Sequence, residues 1–156
     1  MATRISTQDT TLQIRRTFAA PREQVFNAWT DPKALIRWFA PSDDFSTPSV
    51  AVDLRVGGSY QIVMKAPAGE VHAVKGTYRE IKIPEKLVFT WVWEEGGCGG
   101  ESISEDHPTV VTVEFHDRGS MTEVVLTHEF LPSLEAKEKH AEGWTGCLNR
   151  LQAKLF

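Results

Sequence analysis

The sequence has little cysteine and no long apolar run. Its 156 residues include 2 cysteines, Cys98 and Cys147, which is not the disulfide framework of a small secreted domain. No apolar segment approaches the roughly 20 residues of a transmembrane helix, and the opening MATRISTQDTT lacks the apolar core of a signal peptide. These absences predict a cytoplasmic protein without a membrane span.

An excess of positive charge is also missing. The chain has 17 basic and 21 acidic residues and a net charge of −4, and the basic residues are scattered, which argues against duplex DNA or RNA as a partner. Composition is otherwise that of a globular protein, with 41% hydrophobic and 24% charged residues. The length suits one domain over residues 1–156.

Motifs for metal, phosphate and nucleophilic chemistry are absent as well. The histidines and cysteines show no HxH, HExxH or paired Cys/His spacing, so we expect no metal site. The GGCGG run around Cys98 lacks the lysine and the serine or threonine of a phosphate loop, and no GxSxG elbow is present. We therefore expect no cofactor and no catalytic nucleophile.

Residues 16–41 predict the end of a strand followed by two short helices. Pro21 and Pro32 each suit the first turn of a helix, because a missing N–H loses no hydrogen bond there, and Asp31 is placed to cap the second helix. Each helix has a single apolar stripe to bury. The stripes consist of Val25, Phe26 and Trp29 in the first helix and of Leu35, Trp38 and Phe39 in the second.

Alternating apolar residues predict an opening strand over residues 10–18 and then three antiparallel hairpins. The hairpins join residues 49–54 to 59–65, 71–83 to 87–94, and 109–116 to 121–130. Gly57 and Gly58 suit the first of these turns, and residues 94–108 predict a mobile loop.

A long amphipathic helix follows Ser133, a suitable N-cap, and continues to the end of the chain. Gly143 and Gly146 lie inside this helix, where each costs about 1 kcal/mol relative to alanine. Such glycines predict either a close approach of the helix to the sheet or room for a ligand.

Six motifs in order carry a family resemblance over most of the chain. They are RxFxAPRExVFxAWTDPxxLxxWFxP, DLRVGGSYQIVM, GTYREIKIPEKLVFTWVW, VVTVEF, TEVVLTHEF and HAEGWTGCLNRL. The sequence resembles the prokaryotic proteins similar to the activator of heat-shock-protein ATPase, a branch of the START-like, helix-grip superfamily also called SRPBCC. The resemblance implies an α+β helix-grip fold of the START/Bet v type. In that fold a curved antiparallel sheet and two short helices grip a long C-terminal helix, with an apolar cavity between sheet and helix.

This cavity is the candidate functional site, because small-molecule sites are concave and mostly apolar. Side chains alternate between the two faces of a strand, and this alternation (strand parity) indicates which residues face the cavity. Residues at the edge of the cavity, on the second short helix and the loop after it, are added to these as expected ligand contacts. The expected contacts are Trp38, Phe39, Tyr60, Met64, Phe89, Trp91, Trp93, Phe115, His128 and Trp144. Ordinary core packing is the competing interpretation for each of them, since aromatic residues dominate cores.

His128 is the titratable group that parity places among apolar neighbours. Such a histidine can orient a ligand or exchange protons, although a hydrogen-bonded core histidine is the commoner case. Asp53 and Arg55 alternate onto one face, which favours a structural ion pair over a charge pair in the cavity.

Three functions are compatible with these residues. Non-enzymatic binding of a lipophilic or aromatic small molecule is favoured. A co-chaperone-like contact with a heat-shock ATPase, in a stress response, is the second, but the chain resembles only the C-terminal domain of the eukaryotic activators, which disfavours a chaperone partner. A cyclase- or hydrolase-type enzyme using His128 with Asp53 or a tyrosine hydroxyl is the third, and no acid and base lie at a diagnostic spacing for it. The resemblance also implies a homodimer.

Overall fold

An antiparallel sheet forms the framework of the protein. The computed structural model describes residues 10–96 and 103–156. Within these ranges the strands are β1 Leu12–Phe18, β2 Ser46–Val52, β3 Ser59–Lys65, β4 Val71–Lys82, β5 Lys86–Glu95, β6 Thr109–Arg118 and β7 Met121–Glu129. They form one curved sheet in the order β1-β7-β6-β5-β4-β3-β2, with every neighbouring pair antiparallel.

Three helices complete the described part of the chain: α1 Arg22–Thr30, α2 Pro32–Trp38 and α3 Leu134–Leu155. The first two lie between β1 and β2 in the sequence, and α3 follows β7. This arrangement confirms the predicted α+β helix-grip fold. None of the helices in the described ranges combines the length and the apolar character needed to cross a membrane.

Two of the predicted helix starts are confirmed by their caps. The Asp31 carboxylate accepts a hydrogen bond from the Lys33 backbone N–H at 3.0 Å, and the Ser133 hydroxyl accepts one from Ala136 at 3.1 Å. The prediction for Pro21 is wrong by one position. It is the residue before α1 and has extended backbone angles (φ −63°, ψ 154°), whereas a residue in the first turn has a helical ψ.

The three predicted hairpins are confirmed with shifted ends. The largest shift is at β2, which begins at Ser46 instead of residue 49. Its first residues lack an apolar pattern and are held by a buried hydrogen bond from Thr47 Oγ1 to the Phe39 carbonyl at 2.8 Å. Of the predicted loop, residues 97–102, including Cys98, lie outside the described residues, while Ile103 is buried in the core.

One hydrophobic core joins the sheet to the helices. The sheet residues in the core that strand parity correctly predicts are Tyr60, Ile62, Met64, Phe89, Trp91, Val111, Val113, Phe115, Val124, Leu126 and His128. Leu12, Phe18, Val74, Tyr78 and Leu87 belong to the core as well. Trp93 is half-buried and packs against the same cluster. From α3, Trp144, Leu148 and Leu151 complete the core, so the apolar stripe of the last helix faces the sheet as predicted.

Side-chain contacts also hold α3 against the end of α2. Arg150 Nε donates to the Trp38 carbonyl at 3.1 Å and Nη2 to the Arg37 carbonyl at 3.3 Å. These carbonyls belong to the last turn of α2, where no intrahelical partner is available. A cationic side chain at that end also complements the helix dipole.

The two glycines of α3 have different surroundings. A Cβ at Gly146 would lie 1.9 Å from the Pro41 carbonyl oxygen, whereas a Cβ at Gly143 would meet nothing within 4 Å. Gly146 therefore permits a close approach, although to the segment after α2 and not to the sheet. Gly143 has the open space that sequence reasoning offered as the alternative.

Substitution of the two glycines by alanine should have opposite effects on stability. Gly146→Ala forces α3 away from Pro41 and should lower the free energy of unfolding by about 1–3 kcal/mol. Gly143→Ala removes a helix-weakening residue without a clash and should raise it by up to about 1 kcal/mol. Urea denaturation of both variants measures the two changes, and effects of the same sign would contradict this account.

Candidate functional site

A cavity of about 130 Å³ lies between α3, the sheet and the segment after α2. It is the larger of two apolar cavities, and we call it the larger cavity. Two wider spaces, of about 910 and 410 Å³, are lined by the charged residues Lys75, Glu94 and Glu105 together with other polar residues. The sheet side and the segment after α2 supply Met64, His72, Trp91, Trp93, Phe39 and Pro41 to the wall of the larger cavity. Phe45 and, from α3, His140, Gly143, Trp144 and Cys147 complete the wall. No Asp, Glu, Lys or Arg occurs among these lining residues, so the cavity is aromatic and carries little charge.

A second and much smaller cavity, of about 20 Å³, lies deeper against the sheet. Its wall includes Trp29, Tyr60 and Phe89, and it shares Phe39 and Trp91 with the larger cavity. The Phe39 and Trp91 rings stand 6.1 Å apart between centroids. These two side chains therefore border both spaces.

The structure distributes the predicted site residues over three locations. The larger cavity is lined by Phe39, Met64, Trp91, Trp93 and Trp144. The smaller cavity is lined by Tyr60 and Phe89, together with Phe39 and Trp91. Trp38, Phe115 and His128 line neither cavity and lie fully buried in the core.

Two of these core residues, Trp38 and Phe115, help to hold the short helices in place. Trp38 Nε1 donates to the Ala28 carbonyl at 2.9 Å, which ties α2 to α1. The Phe115 ring packs edge-on against Phe26 of α1, with centroids 5.2 Å apart. Their aromatic character is therefore explained by packing between helices and sheet.

The sequence does not identify five residues of the larger cavity: Pro41, Phe45, His72, His140 and Cys147. Gly143 is predicted only as a position that could leave room for a ligand. A signal existed for α3, because His140, Gly143, Trp144 and Cys147 recur at three- and four-residue spacing on one helix face. Phe45 and His72 have no such pattern. The centroids of their rings lie 5.9 Å apart because the fold brings β4 close to the segment before β2.

A chain of buried hydrogen bonds fixes two walls of the larger cavity. Trp144 Nε1 donates to His128 Nδ1 at 3.1 Å, and His128 Nε2 lies 2.7 Å from Thr109 Oγ1. Thr109 Oγ1 in turn donates to the Trp91 carbonyl at 2.8 Å. Since the indole N–H only donates, His128 must accept at Nδ1 and donate from Nε2. His128 is thus a neutral histidine with both ring nitrogens bound.

His140 has a complementary arrangement in α3. Trp93 Nε1 donates to His140 Nε2 at 3.2 Å, so the proton lies on Nδ1, which donates to the Ala136 carbonyl at 2.7 Å. The rings of His128 and His140 are 5.1 Å apart between centroids. Burial lowers the pKa of His128, and the neighbouring His140 lowers it further. Burial also lowers the pKa of His140, against an opposing contribution from the Ala136 carbonyl.

The other reactive groups near the cavities are also held in their neutral forms. Burial raises the pKa of the Cys147 thiol to about 12, which leaves little thiolate for nucleophilic attack. Burial likewise raises the pKa of Tyr60, whose hydroxyl donates to the Thr90 carbonyl at 2.6 Å. Asp53 is exposed and paired with Arg55 at 2.9 Å, as predicted. The arrangement therefore suits binding better than proton transfer.

A site for a metal ion is not formed by the described residues. Within residues 10–96 and 103–156, no three or more His, Cys, Asp or Glu side chains cluster in a way that would hold a metal.

The buried histidines should make the protein sensitive to acid. Below pH 6.5, the ordinary histidine pKa, the unfolded chain binds protons at His128 and His140 that the folded chain does not bind. The free energy of unfolding should therefore fall as the pH drops below 6.5, by up to about 1.4 kcal/mol per pH unit for each histidine. Urea denaturation between pH 7.5 and pH 5 measures this slope.

Two variants assign the slope to the buried side chains. His128→Gln should be less stable at pH 7.5 but should show a shallower decline toward pH 5. The matched control is His116→Gln, which makes the same substitution on a side chain that is 42% exposed. An unchanged slope in His128→Gln would contradict the assignment.

Comparison with known proteins agrees with this fold. The chain is similar to a crystal structure of an AHSA1 protein from Silicibacter pomeroyi, at 26% identity over 93% of this chain and 96% of that one, with a TM-score of 0.79. A crystal structure from Chromobacterium violaceum is similar at 28% identity over 92% and 95% of the two chains, with a TM-score of 0.77. An HSP90 activator from Plasmodium falciparum is similar at 26% identity over 92% and 94%, with a TM-score of 0.70.

No match to a curated protein was found. A family model does match, however, over residues 19–155, which is nearly the whole chain and contains all of the lining residues of both cavities. The chain therefore belongs to the family described as activator of Hsp90 ATPase homolog 1-like protein.

Proposed function

We propose that the protein binds a small hydrophobic or aromatic molecule in the larger cavity and performs no covalent chemistry on it. The observation that supports this proposal most directly is the cavity itself, about 130 Å³ in volume and walled by aromatic side chains without a carboxylate, ammonium or guanidinium group. Concave apolar spaces with few polar groups are the usual form of small-molecule sites.

Gly143 is a second argument for ligand binding. A glycine inside a helix costs about 1 kcal/mol relative to alanine, and neither a close neighbour nor a positive φ accounts for it here. Its place on the cavity wall supplies a reason, since any side chain at this position would take space from the cavity.

Filling the cavity from this position should weaken binding. Toluene is a suitable probe, because cavities of roughly 150 Å³ accept one benzene ring. We expect the natural protein to bind toluene and Gly143→Leu to bind it at least tenfold more weakly. Chemical-shift changes in NMR spectra during titration measure the affinity.

Glu142 offers a matched control, because it is exposed on the neighbouring position of α3. Glu142→Leu adds the same side chain outside the cavity and should leave the affinity for toluene unchanged. Full binding by Gly143→Leu, or no binding by the natural protein, would contradict the proposal.

A co-chaperone role is the second candidate. The observation in its favour is the similarity to the Plasmodium falciparum HSP90 activator, at 26% identity over nearly the whole of both chains. Acceleration of ATP turnover by an added Hsp90 would support this role, and unchanged turnover at high protein concentration would count against it. Gly143→Leu separates the two functions, because a contact made by the surface should survive a filled cavity.

A further inference from the structure

The lining residues of the larger cavity fall into two groups by their exposure. Its deep end is formed by residues that are buried in the core, which are Phe39, Met64, Trp91, His140, Trp144 and Cys147. The remaining lining residues, Pro41, Phe45, His72, Trp93 and Gly143, are half-buried. Since the cavity is partly open to solvent, its opening lies among these five half-buried residues, which we call the mouth residues.

Contacts between distant segments of the chain set the position of the mouth. The rings of Phe45 and His72 lie 5.9 Å apart between centroids, which joins the segment before β2 to β4. Trp93 Nε1 donates to His140 at 3.2 Å, which joins β5 to α3. The close approach at Gly146 joins α3 to the segment after α2. The opening is therefore framed by structured parts of the fold.

The wall inside the mouth offers almost no hydrogen-bonding group to a ligand. It exposes almost no polar surface, because its polar atoms are bound within the protein or covered. The indole N–H groups of Trp93 and Trp144 donate to histidine rings, and both ring nitrogens of His140 are bound. Trp91 Nε1 is buried out of reach of solvent. Inside the cavity, only an apolar group is therefore stabilised.

A polar group of the ligand is favoured only outside the mouth. A hydroxyl group that loses its hydration without gaining a hydrogen bond raises the free energy of binding, and an ionised group raises it more. The lining contains no Asp, Glu, Lys or Arg. His72 lies 3.8 Å from the Glu70 carboxylate, so any positive charge on its ring already has a partner. The wall thus supplies no counter-charge to a buried ionised group.

The volume of the cavity suits one aromatic ring. Its 130 Å³ approaches that of cavities of roughly 150 Å³, which accept a single benzene ring. The aromatic walls favour a ring over an alkyl group of the same size, since offset and edge-to-face contacts add to apolar burial. A substituent on such a ring has no space in the cavity and extends through the mouth.

We infer that the larger cavity takes the aromatic end of an amphipathic molecule, a ring joined through a short alkyl chain to a polar group, and that the polar group stays in solvent beyond the mouth residues. The inference rests on the proposed function, because it concerns the same cavity. It goes further by naming the chemical class of the ligand and its orientation, with the ring against Met64 and Trp144 and the polar group beyond Phe45 and Gly143.

Two pairs of compounds test this class of ligand on the full chain. Benzoate and benzyl alcohol carry a charged and a neutral polar group one carbon from the ring, and 4-phenylbutyrate and 4-phenylbutanol carry the same two groups at the end of four carbons. We expect benzyl alcohol to bind at least about tenfold more tightly than benzoate, because the short carboxylate is drawn against the apolar wall. The two longer compounds should bind within about threefold of each other, since both polar groups reach water.

Titrations followed by NMR give the four affinities. Salt at roughly 0.15 M, where the screening length is about 8 Å, reduces the influence of the charges on the protein surface. Within each pair the ring and the number of carbons are the same. The ratio of affinities therefore measures the effect of the charge alone at each distance from the ring.

The orientation has its own readout in the natural protein. Nuclear Overhauser effects should connect the ring protons of 4-phenylbutyrate with the methyl group of Met64, which is 4% exposed. They should connect the methylene group next to the carboxylate with the ring of Phe45. Because no variant is needed, this measurement does not depend on the folding of one.

The matched variants at positions 143 and 142 apply to these compounds as well. Gly143→Leu fills space beside the mouth and should lower the affinity for both longer compounds at least about tenfold, because their rings lose the same space. Glu142→Leu changes an exposed residue and should leave both affinities within about threefold of those of the natural protein. Loss of affinity for only one of the two compounds in Gly143→Leu would contradict a shared position of the ring.

Each result supports or overturns the inference. A tenfold or larger difference between the two longer compounds, or an Overhauser effect between Met64 and the methylene group next to the carboxylate, overturns the orientation and leaves the proposed function intact. Equal affinity for benzoate and benzyl alcohol overturns the exclusion of charge by the apolar wall. Binding of toluene without binding of either longer compound overturns the class of ligand. If toluene and all four compounds fail to bind, the proposed function fails together with the inference.

Discussion

The hydrogen-bond chain from Trp144 through His128 and Thr109 to the Trp91 carbonyl is the constraint on which the site depends. It connects α3 to β7, β6 and β5 through three buried contacts between 2.7 and 3.1 Å. Each such bond stabilises the fold by about 1 kcal/mol, and an unpaired buried partner costs about 1–3 kcal/mol. Removal of any one of these side chains would therefore leave a buried hydrogen-bonding group of its neighbour without a partner. These hydrogen bonds hold two of the three indoles of the cavity wall, Trp91 and Trp144, in one arrangement.

The same chain explains why a histidine suits this position. His128 must accept from an indole on one side and donate to a hydroxyl on the other, and the neutral imidazole ring offers one acceptor and one donor at a fixed separation. Protonation would place a second proton against the Trp144 N–H. Burial and the neighbouring His140 both oppose it. The histidine thus acts as a structural connector whose neutrality also keeps charge away from the cavity.

The sequence predicts which strand residues face the cavity, but it does not predict which distant segments of the chain meet there. Period-two alternation identifies which strand residues face inward, so Met64, Trp91 and Trp93 could be named from the sequence. His72 and Phe45 could not, because their meeting at 5.9 Å depends on how β4 and the segment before β2 come together. The same limit applies to Gly146, whose close neighbour Pro41 is more than 100 positions away. Local periodicity carries no information about such long-range contacts.

Three departures from ordinary folding rules lie at the larger cavity, whereas the unpaired Nε atoms of Arg22 and Trp29 lie away from its wall. A helical glycine without a steric reason, an indole N–H without an acceptor among the described residues, and an unfilled apolar space all belong to the wall or interior of the larger cavity. Each of these three features lowers the stability of the fold. Substitutions that fill space or pair a buried donor commonly raise stability, so stability alone does not explain why these features are present. Elsewhere, caps, strand parity and the Arg150 contacts follow the rules closely. Proteins commonly break local rules where function requires it, so an apolar space bordered by a helical glycine supports the proposal that a ligand occupies this cavity.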